Sequence, residues 1–320
     1  MPLSKYNRVI KGTMGLVMVF GLFCSLAHAA RQRGESDSQT PNSGRTHAGE
    51  LEDISELYLW TLKHSLTGVL LQTPYYLPPE TNEFLPYDKN LRYNGKDWPV
   101  WGLTMTGIKR LDALQSLIGQ LTGGNVPGDF VECGVWRGGS SIFMRGVLRV
   151  LNIVDRTVHL VDSFEGLPAA STSEDSDTWS TMHYLKVPQD VVEDAFARYK
   201  LLDKQVQFHK GYFRSSLPKL RKDLIAENRQ IALLRMDGDM YESTMDILFN
   251  LADLLAPSGC IIVDDWTINV CRKAMTEFFA IHELEPKIIS IDGDAVYFCL
   301  DKPVSLEHAW YKSFNSKRIA

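Results

Sequence analysis

Gly128-Asp-Phe-Val-Glu132-Cys-Gly134-Val-Trp-Arg-Gly138-Gly139-Ser140-Ser141 is the stretch that decides the fold. Its first half, Asp129–Cys133, reads as a short strand, and its second half opens an amphipathic run, Ser140–Leu151, with glycines in the turn between them. A strand that ends in glycines and leads directly into a helix marks the carboxyl edge of a parallel sheet, where backbone approaches a ligand closely. The helix N-terminus there offers free N–H groups and the positive end of a dipole, which suit a carboxylate or a phosphate. The glycine spacing differs from the dinucleotide pattern G-x-G-x-x-G. A turn with a purely structural role is the competing reading.

Working outward, short β-branched runs alternate with amphipathic ones. Strands are predicted at Asp129–Cys133, Thr157–Val161, Val206–His209, Ile231–Met236, Gly259–Val263, Lys287–Ile291 and Ala295–Leu300, the last two joined by the hairpin-like turn Asp292-Gly293-Asp294. Helices are predicted at Ser140–Leu151, Gln189–Lys200, Ser215–Ile225, Tyr241–Leu255 and Asn269–His282. The pattern predicts an α/β class: a seven-stranded Rossmann-like sheet, mostly parallel with an antiparallel last strand and helices on both faces, as in Class I methyltransferases. Residues 51–124, helical in part and rich in aromatics between Pro74 and Trp101, are expected to form an N-terminal helical and aromatic cap, either a substrate-facing lid or a packing layer.

Three constellations carry chemistry. In the first, a methionine carboxylate fits the glycine turn, and Glu132, two residues before Gly134, is the candidate for the donor's amino group or a supporting hydrogen bond; Gly134, Gly138 and Ser140 complete the candidate site for S-adenosyl-L-methionine. In the second, His159-Leu-Val-Asp162-Ser163-Phe164-Glu165-Gly166, an acid again ends a strand. Asp162 there can accept ribose hydroxyls, with Ser163 and Gly166 beside it. A helix-cap or turn role is the plainer reading of that acid. The same loop resembles the nucleophile loop of dehalogenase-type phosphohydrolases, in which Asp162 would be the nucleophile, although Phe164 stands where a second acid is needed. In the third, Leu233-Leu-Arg-Met-Asp237-Gly-Asp239-Met-Tyr241 and Ile261-Ile-Val-Asp264-Asp265-Trp266 each end a strand in acids. Asp237, Asp264 and Asp265 could converge on a hard cation such as Mg²⁺, because three carboxylates without one repel each other. Independent loop acids pointing into water are the alternative.

Composition narrows the partners. The 320 residues carry a formal net charge of -5, which gives no basic footprint for nucleic acid. Lys5, Arg8 and Lys11 precede the apolar run Met14–Ala27 and the small-x-small site Ala27-His28-Ala29, the grammar of a signal peptide or signal anchor over residues 1–30. The run is short against the about 20 residues of a spanning helix, so a membrane contact is expected only if this leader is uncleaved. The leader implies the secretory pathway, a periplasm or a signal-anchored membrane. Residues 31–50 read as a disordered linker, 125–304 as the main domain and 305–320 as a C-terminal tail. Cys133, Cys260 and Cys299 fall in apolar strand-like runs where buried free thiols are expected, a usage that suits a reducing compartment.

Taken together, Gly128–Gly139, Val161-Asp-Ser-Phe-Glu-Gly-Leu-Pro168, Arg235–Thr244 and Val263-Asp-Asp-Trp266 resemble the macrocin and mycinamicin O-methyltransferase family over about residues 100–300. The resemblance implies an S-adenosyl-L-methionine- and Mg²⁺-dependent methyl transfer to a hydroxyl of a small molecule, in that family a sugar hydroxyl of a macrolide. It implies a metal held by Asp237, Asp264 and Asp265, and a histidine general base for which His183 is the nearest candidate, with Asp237 also catalytic. A homo-oligomer is left open. The rival to an enzyme is a non-catalytic module that keeps the donor pocket.

Overall fold

A computed structural model of the chain describes residues 47–76 and 83–318. The expected leader and most of the linker lie outside the described residues. The chain runs through α1 (His47–Leu66), β1 (Tyr75–Tyr76), α2 (Lys89–Tyr93), β2 (Trp98–Pro99) and α3 (Gly107–Gly123) before the main sheet begins, and from Leu51 onward it forms one compact unit. There follow β3 (Asp129–Cys133), α4 (Gly139–Val150), β4 (Val158–Asp162), α5 (Gln189–Arg198), β5 (Val206–Lys210) and α6 (Phe213–Ala226). The chain continues through β6 (Ile231–Met236), α7 (Tyr241–Leu251), β7 (Leu255–Val263), α8 (Asn269–Ile281), β8 (Ile289–Ser290), β9 (Val296–Leu300) and α9 (His308–Ser316).

The seven-stranded sheet has the order β5-β4-β3-β6-β7-β9-β8. Strands β3 to β7 pair in parallel, and β9 is antiparallel to both β7 and β8. The strand order reverses direction between β3 and β6, so a crevice opens above their carboxyl ends, the position where open α/β sheets bind ligands. Alternation of side chains decides the two layers. Phe130, Leu233 and Ile262 face one core with α1, α3, α4 and α5, whereas Val131, Leu234 and Ile261 face the other with α6, α7 and α8. The N-terminal helices therefore share the first core: Leu62 of α1 packs so closely on Gly146 of α4 that an added Cβ there would meet it at 2.3 Å.

Two boundaries differ from the sequence expectation. Helix α7 stops at Leu251 and a 3-10 turn, Ala252–Leu254, replaces its last turn, because β7 begins early, at Leu255, and pairs there with Ile231 across a register shift. Strand β8 is shortened to two residues, and the Asp292 turn closes the hairpin, with Ile291 donating to the Ala295 carbonyl at 2.9 Å.

The cysteines require a correction. Cys260 and Cys299 are not free thiols; they are register partners on β7 and β9 and form a disulfide, while Cys133 and Cys271 are free and buried. Only the antiparallel pairing sets two residues 39 positions apart directly opposite one another. Because Cys299 is exposed, a reductant reaches the bond. Its reduction, or Cys299→Ser, is expected to lower the unfolding free energy by about 2–4 kcal/mol. Urea titration with and without reductant, together with the mass of the alkylated protein, checks this; two titratable thiols more than Cys133 and Cys271 supply would overturn the pairing.

Candidate active site

A cavity of about 710 Å³ lies at the carboxyl edge of the sheet. Gly134, Asp162, Ser163 and Gly166 line it, as do Asp237, Asp239, Asp264 and Asp265. Each group arrives there because its strand ends there.

Gly134 follows β3 with φ +88°, and a Cβ at this position would fall 1.7 Å from the Asp237 carbonyl oxygen. No other residue fits, since the turn after β3 and the turn after β6 touch through their backbones. Asp162, at the end of β4, accepts Val135 N through Oδ2 and Phe164 N through Oδ1, both at 2.7 Å. Its burial raises its pKa, and the amide donors oppose that shift. Each carboxylate oxygen keeps further lone pairs, so Asp162 can still accept ligand hydroxyls.

The other candidates for the donor site stand behind this surface. Glu132 is buried in the sheet, with Oε1 2.7 Å from Arg235 Nη1 and Oε2 accepting the Ser141 hydroxyl; burial pushes its pKa up to about 7. It does not line the cavity, and the same holds for Gly138 and Ser140. Gly138 takes φ +86° at the start of α4, where the next amide, Gly139 N, donates to the Leu103 carbonyl at 2.9 Å, and Ser140 is buried beside Thr104. Glu132 and Ser140 point into the layers rather than over the edge, and a Cβ at Gly138 would meet Val192 Cγ1 at 2.7 Å, inside the core.

The acids redistribute as well. Asp237, Asp239 and Asp265 bring one oxygen each within 4.8 Å of one another, and Asp239 N donates to Asp265 Oδ2 at 2.9 Å. Asp264 does not join that convergence. Asp264 and Asp265 lie in the turn that follows β7, and Asp264 is held away from the cluster by Arg235 at 2.6 Å on Oδ1 and by Arg110 on Oδ2. Arg235 also stands 2.9 Å from Asp237, so one buried guanidinium serves acids from three strand ends. Arg110 holds Asp292 at 2.7 Å and Asp294 at 3.3 Å in addition. Asp239 differs from its neighbours: its side chain has neither an ion-pair nor a hydrogen-bond partner among the described residues. Burial and the adjacent carboxylates push the pKa of Asp237 up to about 6, that of Asp239 to about 8, and that of Asp265 well upward.

His183 is placed outside. It sits on an exposed 3-10 turn, His183–Leu185, whose neighbours Met182, Tyr184 and Leu185 face the cavity while the imidazole does not. A three-residue turn cannot direct every side chain inward. The aromatic wall is instead Trp98, Trp136 and Tyr184: Trp98 packs edge-on at 6.1 Å from Trp136 and 4.9 Å from Tyr184, and Trp136 Nε1 donates to the Tyr184 carbonyl at 3.1 Å. Trp98, Met105 and Arg110 come from the N-terminal segment, which therefore supplies cavity wall as well as core.

Sequence reasoning gave no role to Arg235, Arg110 or Asp239. A charge within the apolar run Ile231–Met236 is a signal for the first, and Asp239 lies two residues after Asp237 in the same acid motif. Nothing local marks Arg110, which meets Asp264 across 154 positions.

Comparison with known proteins bears on this geometry. Residues 50–299 match the family model for macrocin-O-methyltransferase (TylF). Demethyldecarbamoylnovobiocin O-methyltransferase of Streptomyces niveus is 39% identical over 259 residues, covering 78% of this chain and 96% of that protein. The 8-demethyl-8-(2,3-dimethoxy-alpha-L-rhamnosyl)-tetracenomycin-C 4'-O-methyltransferase of Streptomyces olivaceus is 41% identical over 253 residues, 77% of this chain and 94% of that one. The solved structure of the O-methyltransferase NovP superposes with a TM-score of 0.71 at 37% identity, covering 78% of this chain and 100% of NovP.

Proposed function

The chain belongs to the macrocin-O-methyltransferase family and is an S-adenosylmethionine-dependent O-methyltransferase; we propose that it methylates a sugar hydroxyl of a glycosylated small molecule with the help of a divalent cation. The observation that carries the reading is the meeting of Asp237, Asp239 and Asp265 within 4.8 Å in the same cavity as Gly134 and Asp162. Dehalogenase-type hydrolysis and a non-catalytic module fall away with that membership.

The residues fit the cation. Carboxylates this close raise one another's pKa, and a dication relieves the repulsion with the oxygen ligands that Mg²⁺ prefers. Asp237 and Asp265 would be the core of the site. Asp264, outside that group as it stands, would be the third ligand on release from Arg110, which keeps Asp292 and Asp294 to bind, and from Arg235, which keeps Glu132 and Asp237. When bound, the cation supplies Lewis acidity that lowers the pKa of an acceptor hydroxyl and orients it.

The chain's own residues do the rest. Asp162 accepts hydroxyls of the donor's ribose, and the Gly134 turn brings backbone close to the donor. Asp239, the carboxylate with free lone pairs, takes the acceptor's proton in place of His183. Trp98, Trp136 and Tyr184 offer flat apolar faces to a sugar and exclude water. The relatives' names support the acceptor class, since one methylates the 4' oxygen of a rhamnosyl-bearing compound.

Calorimetric titration with S-adenosylhomocysteine, followed by methyl transfer to a panel of sugar, polyketide and phenolic hydroxyls with Mg²⁺ or chelator, tests the reading. Micromolar donor binding with Mg²⁺-dependent transfer to sugars supports it, and chelator-resistant transfer would remove the cation. Roles within the cluster separate by Mn²⁺ affinity measured by electron paramagnetic resonance. Asp264→Asn is expected to weaken it at least tenfold and Asp239→Asn to preserve it while turnover collapses; the reverse pattern exchanges the two roles.

The cluster also makes stability depend on pH. In the unfolded chain these aspartates ionise near the ordinary value of 3.8, whereas the fold holds Asp237 to about 6 and Asp239 to about 8. The unfolded chain therefore loses its protons first, and folded stability in chelator falls as pH rises from the unfolded pKa through the folded ones. Thermal melts should show Mg²⁺ raising Tm more at pH 8 than at pH 6. An equal gain at both would contradict the coupling.

Export is part of the same proposal: the leader-like residues 1–30 and the Cys260–Cys299 disulfide both fit an oxidising compartment.

A further inference from the structure

Helix α9 lies beyond residues 50–299, the part that matches the family model, yet the chain that follows it enters the cavity wall. Arg318 has a side chain only 5% exposed. Its Nε donates to Ser171 Oγ at 2.8 Å, its Nη1 to Asp246 Oδ1 at 2.6 Å, and its Nη2 stands 2.9 Å from Glu242 Oε2. Glu242 and Asp246 are one turn apart on α7 and are 1% and 2% exposed. Two carboxylates so deeply buried need a cation between them, and Arg318 is the guanidinium that both receive. Tyr311 of α9 adds a hydroxyl to Asp246 at 2.7 Å.

Glu242 also anchors the segment between β4 and α5, while Asp246 reaches it only through Arg318. Ser171 gives its amide to Glu242 at 3.2 Å and its hydroxyl to the other carboxylate oxygen. Asp175 accepts the amides of Tyr241 and Glu242 at 2.8 and 2.9 Å, capping α7, and Glu174 pairs with Lys273 of α8. Between these ties and α5 the segment carries Trp179, Met182, Tyr184 and Leu185 into the cavity wall. Arg318 thus grips both the anchor on α7 and the anchored residue Ser171.

We propose that Arg318 is a positioning residue for acceptor binding: by neutralising Glu242 and Asp246 it holds residues 167–185 where their aromatic and apolar side chains receive the acceptor. The acceptor role rests on the reading of the cavity as the methyl-transfer site; the positioning role does not. The C-terminal tail is then a determinant of acceptor recognition that the family match does not include.

Hydrogen exchange and calorimetry on the full chain test this with Arg318→Met, Arg318→Lys and Arg318→Met combined with Glu242→Gln and Asp246→Asn. Arg318→Met is expected to lower protection of residues 167–185 at least tenfold, with β3 and β6 unchanged and S-adenosylhomocysteine affinity within twofold of the parent. Arg318→Lys and the triple variant should each recover most of that protection, since one restores a cation and the other removes the need for it. With the panel acceptor that turns over, KM should rise about tenfold while kcat stays within twofold. Unchanged protection in Arg318→Met overturns the positioning role, as does a loss spread evenly over the sheet and the donor affinity. Lost protection with an unchanged acceptor KM overturns the acceptor role. A parent protein that fails to bind S-adenosylhomocysteine would strike the methyl-transfer reading instead, and the exchange data would still decide whether Arg318 holds the segment.

Discussion

Asp237→Asn is expected to reduce kcat/KM for methyl transfer about a thousandfold, a barrier increase of roughly 4 kcal/mol, while S-adenosylhomocysteine still binds. The expectation follows from where this side chain stands. Asp237 belongs both to the acid motif after β6 and to the group of oxygens within 4.8 Å, so on the proposed function its charge would serve both the cation and the acceptor hydroxyl. An amide keeps the shape and removes that charge. Mn²⁺ binding should weaken in parallel, which separates loss of the cation from loss of the donor site. An Asn variant with full, chelator-sensitive turnover would sink the metal assignment.

Arg235→Met is expected to cost about 3–5 kcal/mol of folding stability, the usual penalty for leaving buried charge uncompensated. The guanidinium is 4% exposed and lies against Glu132, Asp237 and Asp264, with Glu132 itself 1% exposed. The methionine fills the volume but leaves three acids facing one another. Glu132→Gln should be far milder, because the Glu132 carboxyl, pushed up to about 7 by burial, is already costly to ionise and Gln keeps a partner for Ser141. Urea denaturation compares the two: a midpoint for Arg235→Met within error of the parent would show that Arg110 suffices for the cluster, and would withdraw the central role given to Arg235.

Much of the fold was legible because its signals are local. The alternation of β-branched and amphipathic runs from Asp129 to Leu300 predicts the seven strands, five of the helices and the antiparallel closing hairpin, all of which are present. Local signals also mark the edge that carries the cavity, since acids and glycines that end strands come to one side of a parallel sheet whatever the loops do. Those features depend on periodicity and turn chemistry, which residues a few positions apart determine among themselves.

What the tertiary structure decided is the pairing of residues distant in sequence. Asp264 and Asp265 are neighbours in the chain, and the sequence does not say which of them meets Asp237 and Asp239; the arrival of Arg235 from β6 and Arg110 from α3 at Asp264 divides them. The disulfide between Cys260 and Cys299 likewise depends on strand register, and a slip of one residue would put the two sulfurs on opposite faces. His183 has the chemistry of a general base, but a 3-10 turn carries it outward. Sequence determined which layers form and which edge binds, because those follow from local periodicity. Which side chains meet there was settled only by packing, register and charge compensation between segments brought together by the fold.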